Sequence, residues 1–415
     1  MGNREWGMGN SMERFWRILA FVLSLVFWLP LAAFAWMALG WIVYSFSVWS
    51  LPHNSLRSEL FLPMWVWAFV GLAPSIVWRK RKVLIFGLGI VFLFALAYGG
   101  VYLYEWMTFD RYERISAKSI DWSEYRPFAP SNRLVKAECP SEFRFEGKCP
   151  KVFCAYALYP IGAAAFEAQA TKESGVETAI REENSPKAYA SLMQVPYEDL
   201  RPRAYVPEKC DVILALAPSE AQRETAEKAG LEFELTPVSK DAFVFFVSAE
   251  NPAEGLTSQQ IRDIYSGKVT SWKELGVDFG AKLYPYQRNA GSGSQSALER
   301  MMGDTPIMPP LREDRRRCMA GIVKMTADYR NQPGAIGFSF RYYVNELMKG
   351  GKVKLLKIDG VEPTVENIRS GAYPFVETAY AITVSQREGN VSRFVDFLVS
   401  PEGRELVERT GYVAP

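Results

Sequence analysis

Arg288 and the run GSGS at 291–294 combine, by type and spacing, the groups needed to hold an anion. Gly291 and Gly293 allow positive φ and close backbone approach. Ser292 and Ser294 add hydroxyl donors beside the unpaired N–H groups of a helix expected to start near Ser294. Arg288 contributes a fixed charge and a planar donor fork suited to an oxyanion. Taken alone, GSGS reads better as a flexible loop. Its surroundings reverse that reading: YPYQR at 284–288 begins as a strand, Ser296 and Glu299 stand at capping-box spacing, and Ala297, Leu298, Met301 and Met302 open an apolar face. The expected unit is strand, glycine-rich turn, helix.

Other chemistries are poorly supplied. The single histidine, His53, lies far from this turn, so neither a histidine relay nor a zinc site is available around it, and no G-x-S-x-G elbow occurs. No cofactor is expected and no catalytic residue is assigned. Asp211 and Asp241 read as capping or packing carboxylates, and Arg312, Arg315, Arg316 and Arg317 as a solvated face. A net charge of +2 without a basic face argues against a nucleic-acid partner.

The elements that must position the turn follow a sharp division at about residue 105. The first hundred residues hold most of the tryptophans and few charges. Apolar runs at 15–48, 61–78 and 83–104 are each long enough to cross a bilayer, which takes roughly 20 residues as helix. A cleavable signal peptide ending near Ala33-Phe-Ala35 competes for the first run, but the run continues past that site and two more follow. The basic residues Arg14, Arg17 and Arg79, Lys80, Arg81, Lys82 place the N-terminus and the second connection on the cytoplasmic side. The expectation is a cytoplasmic N-terminus (1–14), a three-helix membrane anchor (15–105), a stalk and lead-in (106–147) and an extracytoplasmic domain (148–415). Cys139, Cys149, Cys154, Cys210 and Cys318 all lie in the outer part; buried small hydrophobes and a disulfide near Cys139–Cys149 are both open readings.

Within the outer part, continuous apolar strands at 151–157, 211–217 and 242–247 alternate with helices at 158–169, 219–229 and 256–265. Further strands are expected at 334–340, 353–358 and 380–384, and helices close the chain over 391–409. Continuous rather than alternating apolar strands between helices predict an α/β fold with a buried, largely parallel sheet.

Residues 148–415 resemble the phosphate-binding, PstS-like branch of periplasmic solute-binding proteins. The likeness is carried by LTSQQIRDIYSGKVTSWKELG at 256–276, QRNAGSGSQ at 287–295, AIGFSFRYY at 335–343 and TGY at 410–412. It implies a bilobed periplasmic-binding-protein-like fold, here preceded by three transmembrane helices, with one lobe over about 148–243 and 352–415 and the other over about 244–351. Its ligand would be inorganic phosphate or a similar tetrahedral oxyanion, and its partners the permease subunits of an ABC transporter in the cell membrane. By resemblance Arg288, Ser292, Gly293 and Ser294 bind the anion from the second lobe, and Ser185 from the first. The first loop departs from the family: Cys154-Ala-Tyr156 replaces a small serine or threonine turn, so Tyr156 and Ala157 stand where first-lobe contacts are expected. Nothing acidic follows the second strand between Val212 and Pro218, where the family keeps a carboxylate for a phosphate proton. A regulatory or scaffold module with an altered site is therefore the alternative to an import receptor.

Overall fold

The computed structural model describes the chain from residue 81 onward, apart from 113, 116–120, 173–177, 198–204, 312, 319–320, 327–328, 348–351 and 385–386; only the backbone is described over 313–329 and along parts of 81–105. The chain divides into two units, Met1–Arg111 and Tyr112–Pro415.

Of the first unit, one long helix is described, α1 (Arg81–Glu105). Among its described side chains Ile85, Leu88, Phe92, Leu93, Leu96 and Leu103 are exposed. Among the described residues no helix is long and apolar enough to cross a membrane. The first two predicted spans lie outside the described residues, and the third coincides with α1, whose side chains are described only in part.

The second unit opens with β1 (Arg114–Ile115), followed by β2 (Val152–Ala155), α2 (Tyr159–Gln169), β3 (Ile180–Glu183), α3 (Ser185–Met193), β4 (Val212–Leu216) and α4 (Glu220–Lys228). A fifteen-residue strand, β5 (Glu234–Ser248), leads into β6 (Gly255–Leu256), α5 (Ser258–Tyr265), β7 (Tyr284–Pro285) and α6 (Gly293–Met302). Then come β8 (Glu313–Cys318), β9 (Gly321–Thr326), β10 (Tyr329–Arg330), β11 (Ala335–Phe340), β12 (Val353–Leu355) and β13 (Lys357–Ile358). The chain ends with α7 (Val365–Arg369), β14 (Val376–Thr383), α8 (Gly389–Val399) and α9 (Pro401–Thr410).

Eight strands share one sheet in the order β3-β2-β4-β14-β5-β11-β7, with β12 also on β5. The sheet is mixed, which corrects the largely parallel expectation: β3, β2 and β4 are parallel, whereas β14 runs against both β4 and β5, and β11 against β5. Apolar composition reports burial on both faces but not strand direction. The run VILAL of β4 illustrates the burial. Val212 and Leu214 face a core shared with α2, α8 and α9, while Ile213 and Ala215 face a second cluster with Ala188, Tyr189 and Leu192 of α3. The glycine in α2 lets that helix sit directly on the sheet, since a Cβ at Gly162 would stand 2.5 Å from Cys154 Sγ and 2.9 Å from Leu214 Cδ1.

β5 was legible only in its apolar half. Its first part pairs with β14, with a register shift between Ala379 and Tyr380 opposite the stretch containing Pro237, and its second part pairs with β11 and β12. One strand therefore runs through both lobes. Phe243, Phe245 and Val247 centre the second core together with Trp272, Ile336 and Phe338.

Three further expectations are corrected. Within the expected stalk and lead-in, 106–147, the described residues are not free of the domain: Tyr125, Leu134 and Cys139 are buried in the first core with Val152 and Tyr412. The apolar side chains of this stretch follow no regular period, so their burial was invisible to pattern reading. The second core also keeps Leu356, Ile358, Ile368 and Tyr373, so the chain returns to the first lobe with β14 rather than at residue 352. Cys139, Cys154 and Cys210 are buried thiols, so the Cys139–Cys149 disulfide is not formed and the buried-hydrophobe reading stands for these three. The side chains of Arg312 and Arg315–Arg317 lie outside the described residues.

Candidate functional site

The turn between β7 and α6 is built by hydrogen bonds that the sequence alone did not reveal. β7 pairs parallel with β11, Ala335 opposite Tyr284, and Tyr286 N–H donates to Ile336 O at 2.9 Å. The chain leaves the sheet there. Gln287 is buried and its Nε2 donates to Met308 O at 2.7 Å, so the side chain that follows, Arg288, turns away from the core. Arg288 N–H donates to Gln295 Oε1 at 3.0 Å, tying the start of the turn to the first turn of α6. Gly291 takes φ +72°, the left-handed region that glycine occupies without strain. Ser292 N–H then donates to Asn289 O at 3.1 Å.

Ser292, not Ser296, caps α6: its Oγ accepts from Gln295 N at 3.3 Å. The expected Ser296/Glu299 box is thus displaced by one turn, because Ser292 with Gln295 offers the same spacing closer to the glycine turn. The Gln295 amide serves Arg288 instead of the cap. As first residues of the helix, Gly293 and Ser294 keep N–H groups for which no acceptor exists among the described residues. Arg288 is half-buried, and its guanidinium has neither an ion-pair nor a hydrogen-bond partner among the described residues.

The first lobe supplies the opposite wall. Asn184 caps α3 by accepting from Lys187 N at 3.0 Å, and Pro186 sits in the first turn where its missing N–H costs nothing. Asn184-Ser-Pro186 is a helix-start signal legible in the sequence, which the expected elements do not include. A Cβ at Gly293 would stand 3.7 Å from Ser185 Oγ and 3.2 Å from Leu216 Cδ1, and one at Gly291 3.6 Å from Pro186 Cγ and 3.8 Å from Gln222 Nε2. The glycines of the second lobe therefore face the starts of α3 and α4 and the end of β4. Ser185 Oγ and Gly293 are brought together; Gln222 and Leu216 join them unpredicted.

Tyr156 stands in a single 3-10 turn, Tyr156–Leu158, between β2 and α2. Its half-buried ring lies parallel to Trp122, centroids 5.6 Å apart and planes at 22°. Burial pushes its phenol above the ordinary tyrosine range, the carboxylates of Glu183 and Glu182 add to this, and Arg288 opposes it. Tyr156 is therefore a proton donor at neutral pH, within electrostatic reach of Arg288. The carbonyl of Ala157 accepts the Tyr412 hydroxyl. Its N–H has no acceptor among the described residues.

Of the two carboxylates that reach Tyr156, Glu183 is saturated. Glu183 is buried, pairs with Lys187 Nζ at 2.6 Å and accepts from Asn184 N at 3.1 Å and Asn184 Nδ2 at 3.2 Å. After β4, where an acid was missing from the sequence, the Leu216 side chain occupies the space against Gly293. The predicted residues offer donors: the guanidinium of Arg288, the N–H groups of Gly293 and Ser294, and the hydroxyls of Ser185, Ser294 and Tyr156; of these, Gly293 and Ser185 are in contact range and Tyr156 is within electrostatic reach of Arg288. Such a set can neutralise and orient a small anion. No cluster of three or more metal-binding side chains exists among the described residues.

Comparison with known proteins agrees in kind. A family model described as a PBP superfamily domain matches residues 157–402. The phosphate-binding protein PstS of Borreliella burgdorferi is 26% identical over 206 residues, 48% of this chain and 71% of that protein. PstS of Bacillus subtilis is 28% identical over 194 residues, 45% of this chain and 60% of that protein. Among solved structures, an ABC-type phosphate transport receptor from Vibrio cholerae aligns over 64% of this chain and all of its own, with 18% identity and a TM-score of 0.44. The relatives are named as binding proteins, and on that kinship the chain is not an enzyme. With more than half of its residues inside the matched model, the chain belongs to the PBP superfamily.

Proposed function

We propose that the protein is a membrane-anchored, extracytoplasmic receptor for a tetrahedral oxyanion, phosphate foremost, and that it delivers the anion to the permease of an ABC-type importer. One observation carries the reading. Arg288, a cation without a partner among the described residues, belongs to the same turn as Gly293 and Ser294, whose N–H groups have no acceptor among the described residues, and a Cβ at Gly293 would stand 3.7 Å from Ser185 Oγ of the first lobe. Each charge-assisted hydrogen bond to an anion contributes about 1.5–3 kcal/mol, so three or four of them reach the roughly 8 kcal/mol of micromolar binding. The names of the relatives support phosphate as the ligand.

The anchor rests on the three apolar runs of the sequence. Over the third run the chain forms one helix of 25 residues whose described apolar side chains are exposed. The basic residues at 79–82 favour an outer location for the binding unit.

A second reading, a regulatory module with a changed site, is favoured by Leu216 and Tyr156 standing where a carboxylate and a small hydroxyl are expected. A thermal-shift screen of the full chain in detergent with phosphate, sulfate, arsenate, molybdate and tungstate separates the two. A true ligand raises the melting temperature with its concentration. Because Glu183 is saturated and no acid stands between Val212 and Pro218 to accept a ligand proton, sulfate should follow phosphate within about tenfold, or roughly 1.4 kcal/mol. No shift with any oxyanion would leave the regulatory module.

A further inference from the structure

Trp122 lies ahead of the residues matched to the family, yet it packs on the candidate site. It begins a short 3-10 turn, Trp122–Tyr125, capped by Asp121, which accepts from Ser123 N at 3.0 Å and Ser123 Oγ at 2.6 Å. Its indole stacks on Tyr156 and meets Tyr159 edge-on, centroids 5.8 Å apart at 85°. The stretch is fastened on its other side to α2. Glu167 accepts from Phe128 N at 2.8 Å and Asn132 Nδ2 at 2.7 Å, and pairs with Lys136. Tyr125, buried under this turn, lies beneath the Arg133 guanidinium at 5.5 Å. Thus the segment is locked to both ends of the piece of chain that carries Tyr156.

A tyrosine in a single 3-10 turn, with no hydrogen bond to its hydroxyl among the described residues, would otherwise sample several rotamers. Parallel contact with an indole removes that freedom, because the two faces lose their mutual burial when the phenol swings out. We infer that Trp122 is a positioning residue for the anion site: it holds the Tyr156 phenol toward Arg288 and the cradle, and makes the segment leading from the N-terminal unit part of the receptor's binding apparatus. The inference rests on the oxyanion reading above. It implies that anion binding tightens 121–136, a stretch that lies between the N-terminal unit and the family domain.

The test is a double-mutant cycle on the full chain in detergent, with inorganic phosphate titrated calorimetrically. Trp122→Ala should weaken binding about tenfold, the scale of one neutral hydrogen bond lost to disorder, and Trp122→Phe should restore most of it. Tyr156→Phe should weaken binding comparably, and adding Trp122→Ala to it should change nothing further. Hydrogen exchange at 121–136 should slow when phosphate is added to the wild type, and not in Trp122→Ala. Trp122→Leu, with unfolding followed in parallel, serves if the alanine variant does not fold. Wild-type affinity in the alanine or leucine variant, or an equal loss in the Tyr156→Phe background, overturns the positioning role while Arg288→Ala still weakens binding. If the wild type binds no phosphate, the site reading itself fails and this inference with it.

Discussion

Arg288 is the residue on which anion affinity should depend most. Its backbone is held by Gln295, its side chain has no partner among the described residues, and it is half-buried. A cation in that position is used by something other than the fold. Arg288→Ala is expected to weaken phosphate binding by about 30- to 1000-fold, the equivalent of roughly 2–4 kcal/mol, with the melting temperature of the unliganded protein little changed. Calorimetry and thermal unfolding on the same sample check both halves. Unaltered affinity would remove the lobe junction from consideration as the anion site. Two neighbours qualify the picture at the same scale. Leu216 reaches toward Gly293, and the carboxylate of Glu183 is consumed by Lys187 and Asn184, so neither offers an acceptor for the proton of a ligand hydroxyl.

Among the elements, β5 joins the two lobes, and Asp241 marks the place where its pairing changes from β14 to β11. Asp241 Oδ1 accepts from Ala242 N at 2.9 Å, Oδ2 from Tyr342 N at 3.0 Å, and Arg341 Nε stands 3.4 Å away as an ion pair without hydrogen-bond geometry. Burial pushes its carboxyl up to about 6 although Arg341 and the two N–H groups pull the other way. A carboxyl raised on folding favours the folded state while protonated. Its contribution is complete below about pH 4 and is lost as pH rises through about 6. Asp241→Asn cannot titrate, so wild type should lose stability relative to this variant between pH 4 and pH 7, by on the order of 3 kcal/mol. Urea unfolding of both proteins at the two pH values measures it. A gap that stays constant would mean that Arg341 keeps Asp241 ionised as in water.

For the whole molecule the decisive matter is which side of a membrane the binding unit occupies. The basic residues at 79–82 and those at 14 and 17 set the expectation of an outer C-terminal unit. A reporter active only outside the cytoplasm, fused after Pro415, should be active, and the same reporter inserted at 79–82 should be silent. The opposite pattern would sink the receptor proposal, since a cytoplasmic lobe junction meets no external solute. The two cores make that unit mechanically simple: the lobes share β5, and Arg300 of α6 reaches Glu377 of β14 with paired contacts of 3.2 and 2.7 Å. Such a half-exposed pair adds little stability but orients one lobe against the other.

What was legible from the chain alone was local. Apolar runs located β2, β4 and the second half of β5, caps and glycines located α4, α5 and the turn before α6, and only the family resemblance pointed to Ser185. These signals arise within a few residues, where hydrogen bonding and side-chain period act. Tertiary structure alone decided the rest. The antiparallel course of β14, the extension of β5 through both lobes, the burial of 125–139 and the meeting of Trp122 with Tyr156 depend on contacts between residues far apart in the chain. The cap stands at Ser292 rather than Ser296, and the Gln295 side chain accepts from the Arg288 backbone, a contact across seven residues that no local pattern shows. An apolar residue announces that it will be buried, but not against what: burial free energy is proportional to area and has no direction, so partners are chosen by the packing of the whole.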